Sequence, residues 1–362
     1  MINKKRIGAL LLAGTMMMGM STTAFAAGEK VLTVGNGTEE AQASVSITKD
    51  FEMAEGLGVP NVTFYFTATK VTQDAPDATI SSISYVNMDQ KGNANNGKYV
   101  ISKNSEISFG TFPHAGEYVY TVKETMGNNQ NITYSSDTYT LRVYVANGQN
   151  GGLFVKAITA EKGTNTGEAA DKVEKILFTN TYRKNTSLVV EKKTTGELAD
   201  KSKKFDFTIT FEKSATEDSL AEFTGTLTRK DGATETVTCS NGTANFALAD
   251  GDELVFDNLP AGTKYTVTEK GVNDGYVAHV KVTDNGTMGQ VVNGTDAEDL
   301  LSSQNGNYVG ENDNKVEFEN TYNEVPLTGV IMNNLPFILL IVVAVVAFGT
   351  LAFVKKRRTS DR

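Results

Sequence analysis

Three polar residue types stand at the ends of apolar, strand-like runs, in the same order, twice. The first set is Lys49 in Val45-x-Ile47-x-Lys49, Glu124 in Tyr120-x-Val122-x-Glu124 and Asn180 in Ile176-x-Phe178-x-Asn180. The second is Lys192 in Leu188-x-Val190-x-Lys192, Glu269 in Tyr265-x-Val267-x-Glu269 and Asn320 in Val316-x-Phe318-x-Asn320. Residues two apart in a strand face the same side, so each amine, carboxyl and amide continues an inward apolar row. A lone buried charge costs several kcal/mol, so these groups must be paired, neutralised or consumed. Desolvation lowers the pKa of Lys and raises that of Glu, which favours a neutral amine beside a neutral acid. A neutral amine is a nucleophile. A protonated Glu hydrogen-bonded to the Asn amide would polarise its carbonyl and relay the proton that lets ammonia leave. The product is an isopeptide bond, Lys49 to Asn180 and Lys192 to Asn320, with Glu124 and Glu269 as the promoting groups. A second reading has each Lys one residue beyond its sheet, snorkelling to water with Glu as a surface ion pair. Repetition of the set in matched order weighs against that reading. Lys193 competes with Lys192, but only Lys192 keeps the parity of Lys49.

The elements that must position these groups are strands. Short segments rich in Val, Thr, Tyr and Phe alternate with Gly, Asn and Asp clusters and show no long helical period, which predicts an all-β fold of sandwich form. The two sets are offset by 143, 145 and 140 residues, the sign of an internal duplication. The reading is two tandem domains, residues 27–184 and 185–323, with the break near Arg183 to Thr186. Each crosslink would join the first and last strands of its domain, closing sequence separations of 131 and 128 residues. By analogy with disulfide loop closure this adds roughly 4 to 5 kcal/mol through the unfolded chain. It also carries tension past the strands between. The longer polar stretches, 73–105 and 284–314, read as solvated insertions or as surfaces for host or partner contacts.

Composition narrows the function. A single cysteine, Cys239, allows no intramolecular disulfide and reads as a buried or half-buried strand residue. With His114 and His279 the only histidines, and no Gly-x-Ser-x-Gly or His-Glu-x-x-His pattern, no nucleophilic, zinc or cofactor site is visible. The Lys, Glu and Asn sets face inward and act once on their own chain, so no enzyme acting on outside substrates is expected.

The two ends carry address signals. Lys4, Lys5 and Arg6, an apolar run from Ile7 to Met20 and Ala24-Phe25-Ala26 form a secretory signal peptide over 1–26. An apolar stretch at 335–354 is long enough to span a bilayer, and the basic tail 355–362 places its far end in the cytoplasm. Just upstream, Val325-Pro326-Leu327-Thr328-Gly329 resembles a sortase cell-wall sorting signal, with Val325 departing from the usual leucine. The resemblance implies cleavage between Thr328 and Gly329 and transfer of the Thr328 carbonyl to an amine. The net charge of −9, less +3 from the leader and +4 from the tail, leaves −16 over residues 27–328. Such an acidic body argues against nucleic-acid partners.

Taken in order, Ser44 to Lys49, Tyr120 to Glu124, Phe178 to Asn180, Leu188 to Gly196, Tyr265 to Glu269, Phe318 to Asn320 and Glu324 to Pro326 resemble the backbone pilins of Gram-positive sortase-assembled pili, of the streptococcal T-antigen type. The resemblance implies two immunoglobulin-like (CnaB-type) sandwiches and a cell-wall, surface-pilus location. It also implies partners: identical subunits head to tail, pilus and housekeeping sortases, minor pilins, peptidoglycan and a host surface. The Tyr-Pro-Lys-Asn pilin motif of other pilins is missing, and Lys172 in Asp171-Lys172-Val173 matches the position of the inter-subunit acceptor, with Lys175 and Lys162 as competitors. The alternative function is a monomeric wall-anchored adhesin or minor pilin.

Overall fold

The computed structural model describes residues 38–163, 172–271, 275–295 and 298–322, together with helical positions between 339 and 350. The expected signal peptide at 1–26, the motif Val325 to Gly329 and the tail 355–362 lie outside the described residues. Among the described residues no helix is long and apolar enough to cross a membrane.

The first half holds β1 (Ser46–Ala54), β2 (Val62–Lys70), β3 (Ala78–Ile80), β4 (Ile83–Tyr85), β5 (Lys98–Phe109), β6 (Gly116–Thr125), β7 (Ile132–Thr133), β8 (Thr138–Asn147), β9 (Leu153–Lys162), β10 (Lys172–Val173) and β11 (Ile176–Tyr182). The second half holds β12 (Asn185–Thr195), β13 (Phe205–Glu212), β14 (Phe223–Thr228), β15 (Thr234–Cys239), β16 (Thr243–Leu248), β17 (Glu253–Pro260), β18 (Lys264–Glu269), β19 (Tyr276–Asp284), β20 (Thr287–Met288), β21 (Val292–Asn293), β22 (Leu300–Leu301), β23 (Asn307–Tyr308) and β24 (Lys315–Tyr322). Strict alternation drives the assignment: β11 buries every second residue, and β13 does the same with Phe205, Phe207, Ile209 and Phe211.

These strands make two tandem β-sandwiches. One pairs the sheet β3-β5-β1-β11-β7 with the sheet β10-β9-β8-β6-β2-β4. The other pairs β15-β14-β17-β12-β24-β19-β20 with β16-β13-β18-β22. Each encloses its own apolar core. Aromatic rings fill both, with Phe51 5.3 Å from Phe64 and 5.0 Å from Tyr85, and Phe207 5.1 Å from Phe318 between centroids. Cys239 is fully buried at the end of β15.

The polar stretch 73–105 is not a plain insertion. It supplies β3, β4 and much of β5, and it sinks Tyr85 into the core, where its hydroxyl donates to the Lys49 carbonyl at 2.7 Å and the Ile101 carbonyl at 3.1 Å. Low apolar density hid these strands, because β3 and β4 are three-residue edge strands and β5 is polar at most of its outward positions. The stretch 284–314 likewise carries the short strands β20 to β23.

At the junction, β11 runs on through Arg183 and Lys184 into β12. Glu311 accepts from Lys184 Nζ at 2.6 Å and from the Gly58 amide at 3.0 Å, and its own amide donates to the Gly56 carbonyl. Arg183 donates to the Thr216 carbonyl and to Glu217. Gly262, at φ +83°, lets the two halves touch: a Cβ there would lie 2.4 Å from that of Ala54 and 2.8 Å from Ser214 Oγ.

Candidate functional site

The strands that carry the two sets are neighbours. β1 and β11 pair in parallel with Lys49 opposite Phe178 and Phe51 opposite Asn180. β12 and β24 repeat the register, with Lys192 opposite Phe318 and Thr194 opposite Asn320. Lys and Asn therefore stand diagonally across one strand pair, two residues along and on the same inward face. Glu comes from the facing sheet in both halves: Glu124 on β6 opposite Phe66, and Glu269 on β18 opposite Phe207. Only sandwich packing brings the carboxyl down onto the amine and amide.

In the first half, Lys49 Nζ donates to Glu124 Oε2 at 2.9 Å and to the Phe178 carbonyl at 3.3 Å, while Asn180 Nδ2 donates to Glu124 Oε1 at 2.5 Å. In the second, Lys192 Nζ at 2.9 Å and Asn320 Nδ2 at 2.7 Å both donate to Glu269 Oε1. Lys49, Asn180, Glu269 and Asn320 have no exposed surface, Lys192 has 2% and Glu124 has 7%. Aromatic rings wall the amines, Phe64 4.6 Å from Lys49 Nζ and Phe205 4.5 Å from Lys192 Nζ.

Burial sets the electrostatics. Desolvation pulls both Lys49 and Lys192 down to about 8, although each adjacent carboxylate acts in the opposite sense. Desolvation pushes the Glu269 carboxyl up, against the pull of Lys192 and its hydrogen bonds. At the second site both trends favour passage of a proton from amine to carboxyl, which frees the nitrogen lone pair. Glu bridges Nζ of Lys and Nδ2 of Asn, so it can take a proton from one and give it to the other. The carbonyl polarisation expected from the sequence is not its part, because the carboxyl faces the amide nitrogen.

Lys193, the competitor of Lys192, points outward, 3.9 Å from Glu319. Lys172 is exposed on the edge strand β10 opposite Glu161. Lys175 is half-buried, and Lys162 is exposed but ion-paired with Asp137 at 2.9 Å. Among the described residues no group of His, Cys, Asp and Glu could hold a metal ion.

Sequence reasoning missed several neighbours of the triads. Tyr85 lies in a three-residue strand and Ser135 in the segment between β7 and β8, both too short to read as strands, and the Phe rings look like ordinary core. Ser135 matters most: its amide donates to Asn180 Oδ1 at 2.7 Å.

The fold and sites define a class, tandem all-β sandwiches that each hold a buried amine, carboxyl and amide between the first and last strands. Residues 28–183 match the Spy0128-like isopeptide containing domain family. Residues 186–322 match a domain of unknown function, DUF7601. The chain is 28% identical to a pilin of Streptococcus pyogenes serotype M1, over 94% of its own length and 98% of that protein. Among solved structures it is similar to the major pilin T3.2 of S. pyogenes, at 24% identity and TM-score 0.36, covering 78% of this chain and 98% of that one. A second S. pyogenes major pilin aligns at 24% identity and TM-score 0.35, covering 77% and 98%. Scores this low carry no weight for the fold, which rests on the strand pairing above.

Proposed function

We propose that this chain is a structural shaft subunit of a covalently polymerised cell-surface pilus, stapled internally by two Lys–Asn isopeptide bonds. The observation that carries the reading is the repetition of one buried triad, in one strand register, in both halves. The likeness over nearly the whole length to a streptococcal pilin supports it.

The chemistry balances without a cofactor. Lys Nζ attacks the Asn Cγ, the Cγ–Nδ2 bond breaks and ammonia leaves. Glu takes the proton lost by Nζ and supplies the proton that Nδ2 needs, so it ends as it began. The reaction runs once per site, and an outside substrate has no way into triads this buried. Subunits join when a sortase cuts after Thr328 and passes its carbonyl to Lys172 of the next copy. A signal peptide over 1–26, an apolar stop at 335–354 and anchoring to peptidoglycan complete the route to the cell wall.

Intact mass of residues 27–324 tests the staples: loss of two ammonia molecules is expected, and the full sequence mass refutes both. An immunoblot of wall extracts boiled in detergent tests assembly. A high-mass ladder that collapses in Lys172→Ala supports the shaft and its acceptor. A ladder in both moves the acceptor to Lys175 or Lys162, and a lone monomer band in the wild type refutes the shaft.

A further inference from the structure

The two triads are not equivalent, and the difference lies at the oxygen of the amide under attack. The chain leaving β7, which pairs with β11 at Thr133 and Thr181, runs beside Asn180 and aims the Ser135 amide at Asn180 Oδ1, 2.7 Å away. A main-chain N–H can only donate, so this bond fixes the amide orientation: Oδ1 towards Ser135, Nδ2 towards Glu124. In the second half the long strand β19 takes the place beside β24, with Ala278 opposite Asn320. There, among the described residues, Asn320 Oδ1 and Glu269 Oε2 are both buried without a hydrogen-bond partner.

We propose that the Ser135 main-chain N–H is the oxyanion donor of the Lys49–Asn180 reaction, and that the second site, lacking such a donor, closes later. The inference rests on the crosslinking chemistry proposed above. As Nζ adds to Cγ, charge collects on Oδ1, and a fixed donor at hydrogen-bond distance stabilises that state without rearranging. Glu124 is then left to its proton work, with one oxygen on the incoming amine and the other on the leaving one. At the second site the single oxygen Glu269 Oε1 serves both, and no described residue holds Oδ1.

Ser135→Pro removes the N–H, and Ser135→Ala keeps it. The chains are made by timed cell-free synthesis and quenched, and peptide mapping reads ammonia loss separately at each site. Ser135→Pro is expected to slow first-site closure by on the order of 10²–10³-fold, the usual effect of deleting one such donor. Second-site closure and Ser135→Ala should match the wild type. First-site closure at the wild-type rate in Ser135→Pro overturns the proposal. Should the proline variant fail to fold, the wild-type time course decides: the first site must lead, and a tie or a second-site lead overturns it. A wild type that loses no ammonia at either site instead refutes the crosslinking chemistry itself.

Discussion

Where tension enters a domain decides which staple bears it. Lys172 lies directly before β11, and β11 continues through Arg183 into β12, so a pull from Lys172 reaches Lys192 along chain that is already extended. Through the proposed Lys192–Asn320 bond it would cross to Asn320 and leave through the end of β24. Only the second staple is in that path. Residues 192 and 320 stand 128 apart in sequence, so an uncrosslinked second domain releases about 420–460 Å when its fold gives way, at ~3.3–3.6 Å per residue. The assay is single-molecule pulling between handles at Lys172 and the C-terminal end. Wild type and Glu124→Ala should show no step above ~30 Å, the reach of the few residues between Lys172 and Asn180, while Glu269→Ala should show the long step. Moving the first handle to the N-terminal end puts the first staple in the path, and Glu124→Ala should then release a comparable length. A long step in Glu124→Ala with the Lys172 handle, or none in Glu269→Ala, refutes the reasoning.

Further outcomes follow from the burial of the triads. Asn320→Ala leaves Lys192 as a buried amine whose pKa falls to about 8 from an ordinary 10.5. Between those values the unfolded chain binds more protons than the folded one, so stability rises with pH. The gain is about 3 kcal/mol, readable as a midpoint shift in denaturant melts from pH 8 to 10.5 and absent from wild type once the amine is consumed; a flat profile in the variant refutes the buried amine. Closure itself should slow above about pH 8, because the Lys and Glu pair then loses the proton that the leaving nitrogen needs; a rate that climbs instead excludes Glu as the proton donor. Gly262→Ala forces a Cβ to 2.4 Å from Ala54 at a positive φ. It should destabilise the chain by ~2–4 kcal/mol and loosen the junction, checked by thermal melting and small-angle scattering; wild-type values in both would refute the close contact.

Much of the site was legible because burial in a strand leaves a period of two. Lys49, Glu124 and Asn180 each extend an apolar row, and the duplicate at Lys192, Glu269 and Asn320 removes the ambiguity that one copy leaves. The same parity separates Lys192 from the outward Lys193. Parity says nothing about loops and edges, so Tyr85 under Lys49 and the Ser135 amide were invisible. Tyr85 comes from a three-residue edge strand and the Ser135 amide from the segment between β7 and β8, both too short to show a period.

The sequence by itself determined that each domain aims an amine, a carboxyl and an amide inward, because side-chain direction in a strand is local. Tertiary structure decided the rest. Parallel pairing of the first and last strands sets the diagonal between Lys and Asn, and the stacking of two sheets sets the carboxyl between them. Desolvation by the surrounding rings then shifts the protons, and a main-chain donor beside one amide, missing from the other, separates two sites that read the same in sequence. None of these is local. Each depends on atoms that the chain brings together only when both sheets have closed.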